Sequence, residues 1–257
     1  MVKGLQRFTE YFDGFRDAYV LIGGAACDLW LADHALPFRR TKDLDLVLLV
    51  EALSPDFFDR FWTFIREGSY ASLSETSTVP KFYRFHSPKK PDFPEMIELL
   101  TRNLLNLPPG VTLTPIPAGE EASSLSAILM DEEYYRLVVD SRVIINGTPI
   151  VSANCLIPLK ARAWMDLTTR RDAGDKHAKG DDIKKHRNDV FRLYRSLAPN
   201  DRFTLPERPK ADLRMFLERH PPGSAEWSAI HAAVGNPHLP DAAIVLAQLR
   251  TIFRLEG

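Results

Sequence analysis

Cysteine is scarce in this sequence. There are two in 257 residues, Cys27 and Cys155, with no Cys-x-x-Cys and no Cys/His cluster at metal-ligand spacing. A disulfide framework and a thiolate zinc site are therefore not indicated, and both thiols are expected to be reduced and buried in a cytosolic protein. Long apolar runs are missing too. The stretches Val20–Leu31 and Leu44–Val50 are interrupted or too short to span a bilayer, and Met1 to Phe12 carries Lys3, Arg7 and Glu10 rather than a signal-peptide core. Neither membrane insertion nor export is expected, and a cytoplasmic location is. Neither charge sign is in excess: 33 basic against 34 acidic residues give −1 overall, so any nucleic-acid binding must be local. The sequence holds no Gly-x-x-x-x-Gly-Lys phosphate loop, no Gly-x-Ser-x-Gly elbow and no His-x-x-x-His pair. Walker-type ATPases, serine hydrolases and zinc proteases lose support accordingly.

What remains is an ordinary globular composition, 45% hydrophobic and 26% charged, long enough for one large domain or two modest ones. Leu5, Phe8, Phe12 and Phe15 recur at helical spacing. Tyr19–Ile22 reads as a buried strand leaving through a tight turn at Gly23-Gly24, followed by a helix closed by Pro37. Residues 42–50 form a second strand, 57–66 a helix, and 81–86 and 96–101 further strands. This alternation predicts an α/β (α+β) domain over 1–115. Prolines 108, 109, 115 and 117 with glycines 110 and 119 mark the boundary. The remainder, 116–257, is expected to be mainly helical, with segments at 156–169, 182–197 and 241–253. A hairpin of 137–145 and 148–151 would turn at Asn146-Gly147.

Asp43 and Asp45 are the sharpest chemical feature. Two residues apart on a strand, they project to one face, and like charges about 6 Å apart repel by roughly 3 kcal/mol at an effective dielectric near 20. A divalent cation offsets that cost, and Mg²⁺ prefers one or two carboxylates plus substrate phosphates. Glu98 shares its strand face with Met96 and Leu100, so a carboxylate with apolar neighbours needs a partner or a metal. Glu95 lies on the opposite face. If the two strands are neighbours, three carboxylates meet at one end of a sheet, as two-metal phosphoryl transfer requires. Gly23-Gly24 before a helix offers backbone N–H groups as a phosphate seat.

The run Leu21-Ile22-Gly23-Gly24-Ala25-Ala26, followed by Arg40-Thr41-Lys42-Asp43-Leu44-Asp45-Leu46, resembles the nucleotidyltransferase superfamily with its polymerase-β-like fold. More narrowly it resembles the AbiEii group of nucleotidyltransferase-like toxins of bacterial abortive-infection and toxin–antitoxin systems. The resemblance covers about the first hundred residues. It implies an NTP donor, two Mg²⁺ ions on Asp43, Asp45 and Glu98, a phosphate cradle at Gly23 and Gly24, an RNA (tRNA) or protein acceptor and an antitoxin partner. Gly24 stands where many active members carry serine, and the helix and Pro37 loop make the distance from Gly24 to Asp43 long.

The C-terminal half resembles that group more loosely, in Leu159-Lys160-Ala161-Arg162-Ala163 and in Lys185-His186-Arg187-Asn188-Asp189 with the residues that follow. The resemblance implies that Lys160 contacts the triphosphate and that Asp189 belongs to the outer wall of the site. The residues themselves allow an ion pair between the two helices instead. Residues 160–195 hold eleven Lys/Arg against six Asp/Glu, a local +5 that leaves about −6 for the rest. Such asymmetry suits either a phosphate-rich substrate or a salt-bridged helix pair. The leading expectation is a metal-dependent nucleotidyltransferase acting on RNA. Its alternatives are a transferase for an aminoglycoside-like hydroxyl compound and a non-catalytic nucleotide- or protein-binding module of the same fold.

Overall fold

The computed structural model of the chain describes residues 2–72, 82–100, 131–235 and 239–256. Its strands are β1 (Tyr19–Ile22), β2 (Asp43–Leu48), β3 (Ala71–Ser72), β4 (Phe82–His86), β5 (Met96–Leu100), β6 (Arg142–Ile145) and β7 (Thr148–Val151). They form one mixed sheet in the order β3-β4-β5-β2-β1-β7-β6. β2 runs parallel to β5 and antiparallel to β1, while β4 runs antiparallel to β5. The β6–β7 hairpin turns at Asn146 and Gly147, both with positive φ as a tight two-residue hairpin demands, and β7 joins the sheet beside β1. The sheet thus draws strands from both sides of residue 115; the expected boundary itself, with its prolines and glycines, lies outside the described residues.

Period-two alternation gives the sheet two unlike faces. Tyr19, Leu21, Leu44, Leu46, Leu48, Phe85, Ile97 and Leu99 lie on one. Against this face pack α1 (Leu5–Tyr11) and α3 (Pro55–Gly68), which add Phe8, Phe12, Phe57, Phe61 and Phe64 to an aromatic core. α3 starts where sequence chemistry tells it to: the Ser54 hydroxyl accepts a hydrogen bond from the Phe57 N–H, and Pro55 takes the first helical position. The other face carries Val20, Ile22, Asp43, Asp45, Val47, Arg84 and Glu98, so it cannot be a simple apolar core.

α2 (Gly23–Asp33) begins directly at the end of β1 and packs between β1, β2 and the long helix α5 (Ala153–Asp172). It ends at Asp33, well before Pro37, where Ala35 adopts positive φ. α4 (Glu132–Asp140) corrects the expected hairpin arm: residues 137–140 end a helix, and only 142–145 are strand. The Asp131 carboxylate caps that helix by accepting from the Glu133 and Tyr134 N–H groups, and this local cap overrides the β propensity of Val138 and Val139. α6 (Gly180–Tyr194) lies against α5, and α7 (Glu207–Glu218), α8 (Glu226–Val234) and α9 (Ala242–Ile252) complete the helical part. Among the described residues no helix is long and apolar enough to cross a membrane.

Candidate functional site

The register places Asp45 directly beside Glu98 on β5, and Glu98 directly beside Arg84 on β4. Asp43 sits one pleat along from Asp45 on the same face. Asp45 is only 9% exposed and Glu98 5%. Arg84 Nε donates to Glu98 Oε1 at 2.6 Å, and Asp45 is hydrogen-bonded to Glu98. Arg84 is ion-paired with Glu98 and lies within electrostatic reach of Asp43, while Lys160 and Lys185 are the cations that act on Asp45. Burial pushes the Asp45 carboxyl up to about 7, with the Glu98 charge adding to the shift and Lys160 opposing it. Burial likewise raises Glu98 and Asp43, against Arg84 for the first and Lys185 and Arg84 for the second.

Gly23 starts α2 with φ +66°, and a Cβ there would collide with Asp45 Oδ2. Both requirements select glycine, and they bring backbone and carboxylate together. No side chain caps the first turn of α2, whose preceding residue is Ile22. A Cβ at Gly24 would overlap Thr41 Oγ1. The phosphate-seat candidates and the acids expected to hold metal are thus gathered at one place, the start of α2 over the acidic end of the sheet.

Lys160 and Asp189 form a second cluster, one helix away. Asp189 on α6 is fully enclosed, and both its oxygens are taken. Arg39 engages it through Nε and Nη2 at 3.1 and 2.7 Å, Arg192 Nη1 at 2.8 Å and Lys160 Nζ at 3.2 Å. Burial alone would raise this carboxyl, yet Lys160, Arg39 and Arg192 outweigh it and hold the group well below the usual carboxylate range. The inter-helix ion pair allowed by the sequence is therefore formed, and Lys160, 3% exposed, also lies within electrostatic reach of Asp45. Cys27 on α2 senses Lys160, Asp189, Arg39 and Asp45 from between the clusters. Its thiol is pushed up to about 12 by burial, which makes it inert. Cys155 is buried and raised as well.

Sequence reasoning missed Arg39, Thr41, Arg84, Lys185 and His186 as members of the site. Arg84 had a weak signal, a cation at an alternate position of a strand. The remainder depend on how a loop and a distant helix fold back. His186 Nδ1 is enclosed with no hydrogen-bond partner among the described residues, and burial, then Lys160, holds its imidazole well below its ordinary value. The basic segment 160–195 is in large part neutralised by ion pairs, within it through Arg170–Asp175, Lys184–Asp181 and Lys185–Asp182 and to later helices through Arg162–Asp212 and Arg187–Glu226. Arg171, Lys176 and Lys179 are exposed and carry no ion pair among the described residues. Among the described residues no three His, Cys, Asp or Glu side chains are arranged around a common metal position.

No protein-family pattern and no curated protein matches the sequence. Solved structures are similar in chain layout. An antigenic nucleotidyltransferase-like protein from Paracoccidioides brasiliensis is 17% identical, with 95% of this chain and 98% of that one covered at a TM-score of 0.44. The antibiotic-resistance factor ANT(2'')-Ia is 12% identical over 89% and 95% of the two chains, at 0.39. The Helicobacter pylori protein JHP933 is 12% identical over 98% and 88%, at 0.32.

Proposed function

We propose that the chain is a metal-dependent nucleotidyltransferase that moves an NMP from an NTP to an acceptor hydroxyl. The observation that carries this reading is the meeting of Asp43, Asp45 and Glu98 on one sheet face under the glycine start of α2. The donor set suits Mg²⁺: the chain offers two carboxylates on one strand, the number this ion takes beside phosphate oxygens and water. Asp45, raised by burial and by Glu98, is short of positive charge in a way that a cation would remedy. Asp43 and Asp45 would hold the ion, which when bound polarises phosphate oxygens and lowers the barrier to displacement.

The chain's own residues supply the rest. Backbone N–H groups at Gly23 and Gly24 seat phosphate at the helix start. The acceptor oxygen attacks the α-phosphorus, the bond to the β-phosphate oxygen breaks, and pyrophosphate leaves. Glu98 takes the hydroxyl proton; its raised pKa suits a base, and its hydrogen bond from Arg84 fixes its orientation. Lys160 adds positive charge beside the leaving phosphates. Asp189, enclosed by its three cations, orients Lys160 and touches no substrate.

RNA is the acceptor we favour. Arg171, Lys176 and Lys179 supply exposed positive charge at the far end of α5, roughly 16 Å along the helix from Lys160, a span suited to an extended polyanion. An AbiEii-like toxin held in check by an antitoxin would fit that chemistry. The test incubates the protein with Mg²⁺, each α-³²P-labelled NTP in turn and total cellular RNA, beside an Asp43→Ala/Asp45→Ala control. Label is expected in RNA with a preferred nucleotide and absent from the control. Label confined to a small hydroxyl compound would reassign the acceptor, and no transfer to any fraction would overturn the enzyme.

A further inference from the structure

We infer that the Thr41 hydroxyl is a phosphate-binding group of this site, donated across the first turn of α2 to a position that Gly24 leaves open. The inference rests on the nucleotidyltransfer reading. Gly23 and Gly24 are glycines for different reasons. Gly23 has a positive φ, whereas Gly24 has an ordinary backbone that any residue could adopt, so its identity is set by what lies over it. What lies over it is Thr41: a Cβ at Gly24 would overlap Oγ1 and stand 3.1 Å from the Thr41 Cβ. The sequence gives up a side chain on α2 and places a hydroxyl there from the neighbouring loop.

That hydroxyl is half-buried, and it makes no hydrogen bond to another described residue. It faces the uncapped first turn of α2, and it lies in the loop two residues before Asp43, the first residue of β2. Packing alone would be satisfied by valine, which has the same shape. A donor without an acceptor, beside free N–H groups and two carboxylates suited to Mg²⁺, completes a ring of groups that an oligophosphate would satisfy together.

Arg39 fixes this placement. Two residues before Thr41, its guanidinium grips both oxygens of the enclosed Asp189 and packs over Phe38, pinning the 34–42 loop to α6 just before the chain enters β2. Thr41 therefore hangs between two anchors, the Arg39 fork and the first residue of β2. Arg39 is a positioning residue and Thr41 a binding residue.

The test measures equilibrium binding of ATP, CTP, GTP and UTP with Mg²⁺, and displacement of the preferred nucleotide by inorganic tripolyphosphate, for the full chain and its Thr41→Val and Thr41→Ser variants. Thermal unfolding of each variant verifies the fold. Hydrogen bonds to charged groups contribute about 1.5–3 kcal/mol, so Thr41→Val should weaken both NTP and tripolyphosphate roughly tenfold or more at an unchanged melting temperature, while Thr41→Ser stays near the parent. Parent-like affinity in Thr41→Val, or equal losses in Val and Ser, would overturn the hydroxyl contact while leaving the transferase reading in place. A parent chain that binds no NTP would overturn that reading first, and this inference with it.

Discussion

Asp45 and Asp189 are both buried carboxylates, about one helix apart, and their surroundings drive them in opposite directions. Asp45 has two carboxylates, Glu98 and Asp43, beside it and no ion pair of its own among the described residues, and is pushed up to about 7 by burial and by the Glu98 charge although Lys160 and Lys185 oppose this. Asp189 faces Lys160, Arg39 and Arg192 at once and is held well below the usual range although burial opposes this. Burial penalises the ion equally in kind; the count of neighbouring cations decides the outcome. The cluster rich in cations fastens the sheet half to the helical half, and the acidic cluster is the one to which the proposed metal is assigned.

The most severe way to break this contrast is Asp189→Asn. Removing the charge strands Lys160 and two guanidiniums in a closed site, and should cost about 3–5 kcal/mol in urea-denaturation free energy. The matching change Asp45→Asn should leave stability at or above that of the parent, since it removes a charge from a crowded acidic site, yet abolish Mg²⁺-dependent NTP binding in a titration. Equal stability losses at the two positions would erase the distinction.

A pH series sharpens the same comparison. His186 and His220 are both held neutral by burial, with folded values below the ordinary one, so the unfolded chain takes up protons that the folded chain refuses. Their contribution is present above about pH 6.5, the ordinary histidine value, and is lost as pH falls through the folded values. Asp189, also depressed, adds a further loss only below about pH 4, where the unfolded carboxylate protonates. Asp45, Glu98 and Asp43, all raised in the folded chain, act in the opposite sense and add stability as pH falls from about 7 towards 4, so the histidine loss is read as a difference between two chains. The urea midpoint of the parent should exceed that of His220→Gln by less at pH 5 than at pH 7; a difference constant from pH 7 to 5 would contradict the neutral histidine. The smallest effect belongs to Lys184→Ala, which breaks an exposed pair with Asp181 at 3.7 Å and should change stability by no more than about 0.5 kcal/mol.

Much of the acidic cluster was legible because it obeys local rules. Period-two spacing put Asp43 with Asp45 and set Glu98 on a face with Met96 and Leu100, and the Gly23-Gly24 pair announced a change of backbone direction. The details were less exact. No separate turn intervenes at Gly23, since α2 starts there, and residues 137–140 are helical because Asp131 caps α4. The cationic cluster was half legible: Lys160 and Asp189 could be paired by helical spacing, whereas Arg39 joins them from 150 residues away in the chain. Arg84 and Thr41 were hidden for the same reason, since one needs the β4–β5 register and the other the path of a loop across α2.

The sequence by itself determined the order of the main strands and helices over the first hundred residues, the two-residue spacing that sets carboxylates side by side, and the glycines at the start of α2. These follow from backbone sterics and side-chain alternation, which act over a few residues. Tertiary structure alone decided which strands are neighbours, that Glu98 lies between Arg84 and Asp45, that the Thr41 hydroxyl lies over Gly24, and that Asp189 is closed in by three cations. Charge state and site geometry depend on distances between groups far apart in the chain, and only the folded packing sets those distances.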